Sequence, residues 1–278
     1  MRAVAVTIGL LVACATAGAG ANAARAGAHG GAVLWREGVA AARSYAAHRR
    51  GTVSFALRTP ARAYGWRAGR VARSASVVKA MLLVAYLRRG GVRSRALTVR
   101  ERALLGPMIR RSDNVAATRI HAVVGADGLR RVARAARMRA FVPHPVWGGS
   151  QITAADQARY FQRIDRLIPA RHRAYAMSLL ATVVPAQRWG IGRVPIPAGW
   201  QLFFKGGWGS GTGEVDHQVA LLRHGRARVS LAILTTDNPD HEYGNETLRE
   251  VAERLLRGLH PPAVGTVVAG RERSLNQP

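Results

Sequence analysis

Apolar residues recur at three- and four-residue intervals from Trp35 to Arg49, the stripe of an amphipathic helix. Gly51 to Thr59 then reads as a strand, and Ala63 to Arg67 as its partner across a turn at Pro60. From Ser76 to about Gln187 the pattern is helical. Val77 to Leu87 is apolar nearly all round, as in a helix buried on every side, and helical pieces follow at Arg111–Val124, Ala126–Met138, Thr153–Leu167 and Ala170–Val184. Beyond Pro197 the period shortens. Trp200–Lys205 reads as a strand, Val215–Arg223 and Ala227–Thr236 flank His224, Gly225 and Arg226 as a hairpin, and Tyr243–Leu259 closes as an amphipathic helix. Helix, two strands, helical block, three strands and final helix predict an α+β fold without internal repeats.

Composition sets the boundaries of that domain. With 278 residues, 48% of them hydrophobic, the chain can bury one substantial core, and residues 35–259 are expected to form a single domain whose helical lobe spans about 74–190. Met1 and Arg2 followed by the uncharged apolar run Ala3–Ala13 read as an export leader, too short to span a bilayer. Two processing sites stay open: Ala21, Asn22 and Ala23 form a small-x-small cleavage site ending a leader at residue 23, while Leu11, Val12, Ala13 and Cys14 form a lipobox ending it before Cys14. The protein is therefore expected to be exported, either secreted or held at the cell envelope through a lipidated Cys14. Residues 24–34 read as a small-residue linker and 260–278 as a flexible polar tail. Cys14 is the only cysteine, so an intramolecular disulfide and a cysteine-rich metal site are both excluded; no metal and no other cofactor is expected.

The formal charge of +27 raises the question of an acidic partner. Two readings stand: loose association with anionic wall polymer or a membrane surface, or a solvated basic surface produced by arginine enrichment and serving no dedicated ligand. Nucleic acid is not expected, because the leader directs export and an aromatic share of 6% offers few stacking platforms. A monomer is expected.

Charge has a second feature. Of the 42 Lys and Arg residues only Lys79 and Lys205 are lysine. Lys79 lies inside the apolar run, where a charge is costly unless it is partnered or neutralised. Ser76 stands three residues before it, on the same face of a helix. Either Ser74 or Ser76 is placed to cap that helix. Downstream come Ser112, Asp113 and Asn114, then Lys205, Gly206 and Gly207 at the end of a strand.

Ser-x-x-Lys, Ser-Asp-Asn and Lys-small-Gly in that order resemble the penicillin-recognising serine hydrolases, class A β-lactamases most closely. The flanks "SDNVAATRIHAVVGADGLRRVARAARM" and "VSLAILTTDNPDHEYGNETLREVAERLL" carry the same likeness, which extends from about Trp35 to Leu259. It implies an antiparallel sheet flanked by helices with an all-helical lobe beside it, and a site between them. The substrate it implies is a small molecule or a cell-wall peptide. It also implies roles: Ser76 as nucleophile and Lys79 as its base, kept near neutrality by burial and by Lys205. Ser112 would relay a proton to the leaving nitrogen, Asn114 would bind the substrate's amide, and Lys205 would hold an anionic group. Gly206 and Gly207 would border the substrate, and the backbone N–H groups of Ser76 and Trp208 would form the oxyanion hole. Arginine cannot replace a proton-accepting lysine, which accounts for Lys79.

Two positions depart from the family pattern. Class A enzymes release the acyl group with a glutamate on the loop before the helix that here starts near Thr153. This chain has no glutamate between Glu101 and Glu214, and "FVPHPVWGGSQ" (Phe141–Gln151) has no carboxylate. His144 is the substitute base that stretch offers. Gly206 stands where the family usually has a hydroxyl. The expectation is an exported serine hydrolase that is acylated by a β-lactam-like, amide or ester substrate without fast turnover. A non-catalytic envelope-binding module with a degenerate cleft of this kind is the alternative.

Overall fold

The structure is a computed structural model that describes residues 34–259. The expected leader, nearly all of the linker and the tail lie outside the described residues. Residues 34–47 are helical (α1). The strands β1 (Thr52–Arg58), β2 (Ala63–Trp66), β5 (Gln201–Gly209), β6 (Val215–His224) and β7 (Ala227–Thr236) form one antiparallel sheet in the order β2-β1-β7-β6-β5. The predicted hairpin closes at Gly225, whose φ of +54° suits a residue without a side chain.

Strand alternation divides this sheet between two cores. Leu231 and Ile233 of β7, Phe204 of β5 and Phe55 of β1 face one side, against α1 and α8 (His241–Leu256). Ala232, Leu234, Phe203 and Ala56 face the other, against the helical lobe. That lobe holds α2 (Val78–Leu87), α3 (Val99–Arg110), α4 (Asn114–Ala135), α5 (Ala154–Phe161), α6 (Ile164–Leu167) and α7 (Ala170–Ala181). Every residue of α2 is buried, as its unbroken apolar run requires. The fold is therefore the expected α+β arrangement, an antiparallel sheet flanked by helices with a helical lobe.

Local differences have local causes. Helix α3 was not among the predicted pieces, because Pro107 interrupts its pattern; it starts on a capping box in which Thr98 accepts from Glu101 N and Glu101 accepts from Thr98 N. Helix α4 joins two predicted helices across Gly125, whose φ of +62° breaks the helical path. The helix expected over Thr153–Leu167 splits into α5 and α6, with Thr153 capping α5 through Asp156 N. A second, two-stranded sheet pairs β3 (Val71–Arg73) with β4 (Gln151–Thr153). Those strands have three residues each, too short for a period to register.

Candidate active site

Alternation along β5 decides which side chains face the helical lobe. Phe203 faces the helical lobe, so Lys205 and Gly207 face it too, while Gly206 and Trp208 turn toward the opposite side. At Gly207 the strand runs directly against the segment carrying Ser76: a Cβ there would fall 2.6 Å from Ser76 N and 2.7 Å from Val77 N. Only a residue without a side chain allows this approach, which brings the Gly207–Trp208 backbone beside the amides of Ser76 and Val77.

Ser76 sits in a 3₁₀ turn, Ala75–Val77, that leads into α2. It is half-buried and lines a cleft of about 450 Å³ with Asn114, His144, Trp147 and Trp208. The preceding Ala75 has φ +43° and Ser112 has φ +60°, left-handed conformations that cost non-glycine residues about 1–3 kcal/mol each. Both strained residues border the site. No serine caps this helix, contrary to the expectation for Ser74 or Ser76. Ser74 Oγ instead donates to the carbonyls of Trp147 and Gly148, both at 3.3 Å, so its hydroxyl ties down a loop. His217, buried on β6, holds the same segment by a 2.9 Å contact from Nε2 to the Arg73 carbonyl.

The two lysines meet at Ser112. Lys79 Nζ donates to the Ser112 carbonyl (2.5 Å), to Asn114 Oδ1 (2.6 Å) and to Ser112 Oγ (3.2 Å). Lys205 Nζ donates to Ser112 Oγ (2.9 Å) and to the Gly206 carbonyl (2.6 Å). The hydroxyl of Ser112 thus lies between two amines. Asp113 accepts from Ala116 N at 2.7 Å and caps α4, so Ser-Asp-Asn places a bridging hydroxyl, a helix cap and a lysine partner in succession.

Both lysines are buried, at 0% and 1% exposure, and burial penalises their charged forms. Lys79 is lowered to about 7 by desolvation, with the Asp113 carboxylate opposing the shift. Lys205 is driven well below its ordinary range by desolvation first and by Lys79 second. Burial is the leading cause for both amines, and the like charges of Lys79 and Lys205 disfavour each other's protonation.

The loop that should hold the missing glutamate holds an indole instead. Trp147 covers Lys79, with Nζ 4.6 Å from its ring centroid, and its Nε1 donates to Thr118 Oγ1 at 3.2 Å. The loop is pinned by the Ser74 N to Ser150 O hydrogen bond (2.7 Å) and by Asp156, which accepts from Arg139 N and Ala140 N. His144 is exposed in the cleft wall; its Nδ1 lies 3.0 Å from both the N and the O of Val146, and Gly149 packs under the ring. No carboxylate is among the residues lining the cleft.

Gly206 has a neighbour that the sequence did not suggest. A Cβ there would lie 2.8 Å from Trp189 Cζ2 and 3.0 Å from Cη2. Restoring the family's hydroxyl with Gly206→Thr is therefore expected to overpack against the indole and to cost about 1–3 kcal/mol. Thermal melting checks this: a lower midpoint is predicted, and an unchanged one would mean that Trp189 moves aside freely.

Comparison with known proteins agrees with this fold. The model of the beta-lactamase enzyme family matches residues 90–259, a span that contains Ser112, Asn114 and Lys205 and begins after Ser76 and Lys79. A β-lactamase from Sphaerobacter thermophilus superposes with a TM-score of 0.68 at 23% identity, covering 82% of this chain and 99% of its own. One from Xanthomonas campestris pv. campestris gives 0.69 at 18% identity over 81% and 98%. An ancestral class A β-lactamase gives 0.64 at 18% over 77% and 96%. At these identities the solved structures speak for the fold. The sequence matches no curated protein. The family match over most of the chain, on a fold shared with solved class A β-lactamases, makes this protein a member of the beta-lactamase enzyme family, a β-lactamase-like serine hydrolase.

Proposed function

We propose that the protein is an exported acyl-transferring hydrolase that forms an ester at Ser76 with β-lactam-like, amide or ester substrates and releases the acyl group slowly. The observation that carries this reading is the meeting of Lys79, Ser112 and Lys205 at one hydroxyl beneath a cleft lined by Ser76. Neutral Lys79 takes the Ser76 proton as Oγ attacks the carbonyl carbon, and the negative charge gathers on the carbonyl oxygen between the Ser76 and Trp208 N–H groups. Ser112, hydrogen-bonded to both amines, passes a proton to the leaving nitrogen as the tetrahedral intermediate collapses. Asn114 holds the substrate's amide, Lys205 its anionic group, and Gly207 leaves the strand edge open.

Slow release follows from what covers Lys79. Water attacking the ester needs a base, and the loop offers an indole over the amine and no carboxylate at the cleft wall.

Intact-mass analysis after incubation with benzylpenicillin tests the reading. One equivalent of added mass, located on the peptide carrying Ser76 and absent in Ser76→Ala, is expected. An unmodified protein, or a label that persists in Ser76→Ala, would overturn it.

The pH dependence carries a sign. Lys79 titrates at about 7, so the acylation rate is expected to rise about tenfold per unit below pH 7 and to level off above it. Stopped-flow acylation from pH 5 to 9 reads this directly; a rate flat with pH would remove Lys79 as the base. Stability follows the same group. Between about pH 7 and 10.5 the unfolded chain binds a proton that folded Lys79 does not, so this residue makes the protein more stable as pH rises through that window.

A further inference from the structure

Trp208 is the one exposed aromatic among the large exposed hydrophobic residues described, at 53% exposure, and it stands in the cleft wall with Ser76. An indole left open to water at the mouth of a catalytic cleft has no role in packing the core. Nor is it loose. Its ring rests on the His241 imidazole with centroids 4.5 Å apart and planes 31° apart. His241 packs edge-on against Trp189 at 5.4 Å, and its Nδ1 lies 2.6 Å from Asp216 Oδ1. Asp216 is buried and also accepts from Asn238 Nδ2 at 2.8 Å. A buried carboxylate therefore fixes the imidazole, the imidazole supports the indole, and the exposed part of Trp208 borders the cleft.

Resting on the acylation reading above, we propose that Trp208 is a recognition platform that stacks a flat apolar ring of the acyl donor, and that His241 and Asp216 are the positioning residues that hold it. The ring carried beside the reacting carbonyl would lie on the indole while the carbonyl oxygen meets the backbone N–H of the same residue. Recognition and oxyanion binding are thereby joined at one position of β5. Arg73, also in the cleft wall, favours a donor that carries an anionic group as well.

The experiment compares acylation efficiency for benzylpenicillin, which carries a phenyl ring on its side chain, with that for 6-acetamidopenicillanic acid, which keeps the side-chain amide held by Asn114 and lacks the ring. The quantity read is the ratio of the two within each protein, so a general change in the oxyanion backbone cancels. The natural protein is expected to prefer benzylpenicillin by about tenfold, the size of an aromatic pair interaction. Trp208→Phe is expected to keep most of that preference, and Trp208→Ala to bring the ratio close to one. His241→Ala should lower the ratio while leaving Ser76 reactive toward 6-acetamidopenicillanic acid. A ratio near one in the natural protein, or one unchanged in Trp208→Ala, would overturn the platform and leave the serine-hydrolase reading intact. No label from either compound would overturn both.

Discussion

Lys79→Arg is expected to lower the rate of Ser76 acylation by about 10²–10⁴-fold while the protein remains folded. The two side chains have the same formal charge and similar apolar stems, so a role confined to charge would survive the exchange. A role in proton transfer would not. Lysine buried at this site titrates at about 7, whereas guanidinium stays protonated throughout the working range. The wider planar head also cannot reproduce the contacts that Nζ makes with the Ser112 carbonyl and Asn114 Oδ1. Stopped-flow labelling with a chromogenic β-lactam, alongside a melting curve, separates lost chemistry from lost fold. A non-catalytic binding module predicts that Lys79→Arg leaves function unchanged. Acylation at the natural rate in this variant would exclude the proposed base.

Gly207→Ala is expected to reduce acylation by at least about 100-fold through a single added carbon. The new Cβ would meet Ser76 N at 2.6 Å and Ser76 Cα at 3.1 Å, and backbone atoms cannot turn aside as a side-chain end can. Strand and nucleophile must separate by a few tenths of an ångström or more. That displacement moves the amide of Ser76 away from that of Trp208, and a hydrogen-bond donor removed from an oxyanion site typically costs about 10²–10³ in rate. The melting temperature should fall as well, because β5 is an edge strand whose one strand partner is β6. The measurement is the acylation efficiency of Gly207→Ala under conditions where circular dichroism shows a folded protein. Efficiency within a few-fold of the natural value would mean that the close approach has no catalytic role.

How far these features were legible in the sequence depended on the range of the interaction. Helix α2 and the candidate pair Ser76 and Lys79, in the turn before it and in its first turn, could be read directly, because an apolar run with one lysine is a local pattern and lysine is rare in this chain. Strand β5 was predicted only through Lys205, because the following Gly206, Gly207, Trp208 and Gly209 have no alternating pattern, yet it continues to Gly209. The start of α3 was written in Thr98 and Glu101, three apart, and passed over among the arginines and Pro107. What no local pattern carried is the aromatic arrangement. Trp147 over Lys79, Trp189 against Gly206 and His241 beneath Trp208 join residues distant in the chain, and each depends on how loops fold across the sheet. The absence of a glutamate between Glu101 and Glu214 could be read from the sequence; the indole at the amine in its place could not.

The central claim is that Ser76 is acylated with the help of Lys79 and that no carboxylate in the cleft wall hastens release. A nitrocefin burst tests it most directly, because the first turnover reports acylation and the later slope reports release. The account predicts a burst of about one equivalent per folded protein followed by a slow steady rate, with the burst lost in Ser76→Ala. Linear hydrolysis from the first turnover at a rate matching acylation would contradict it.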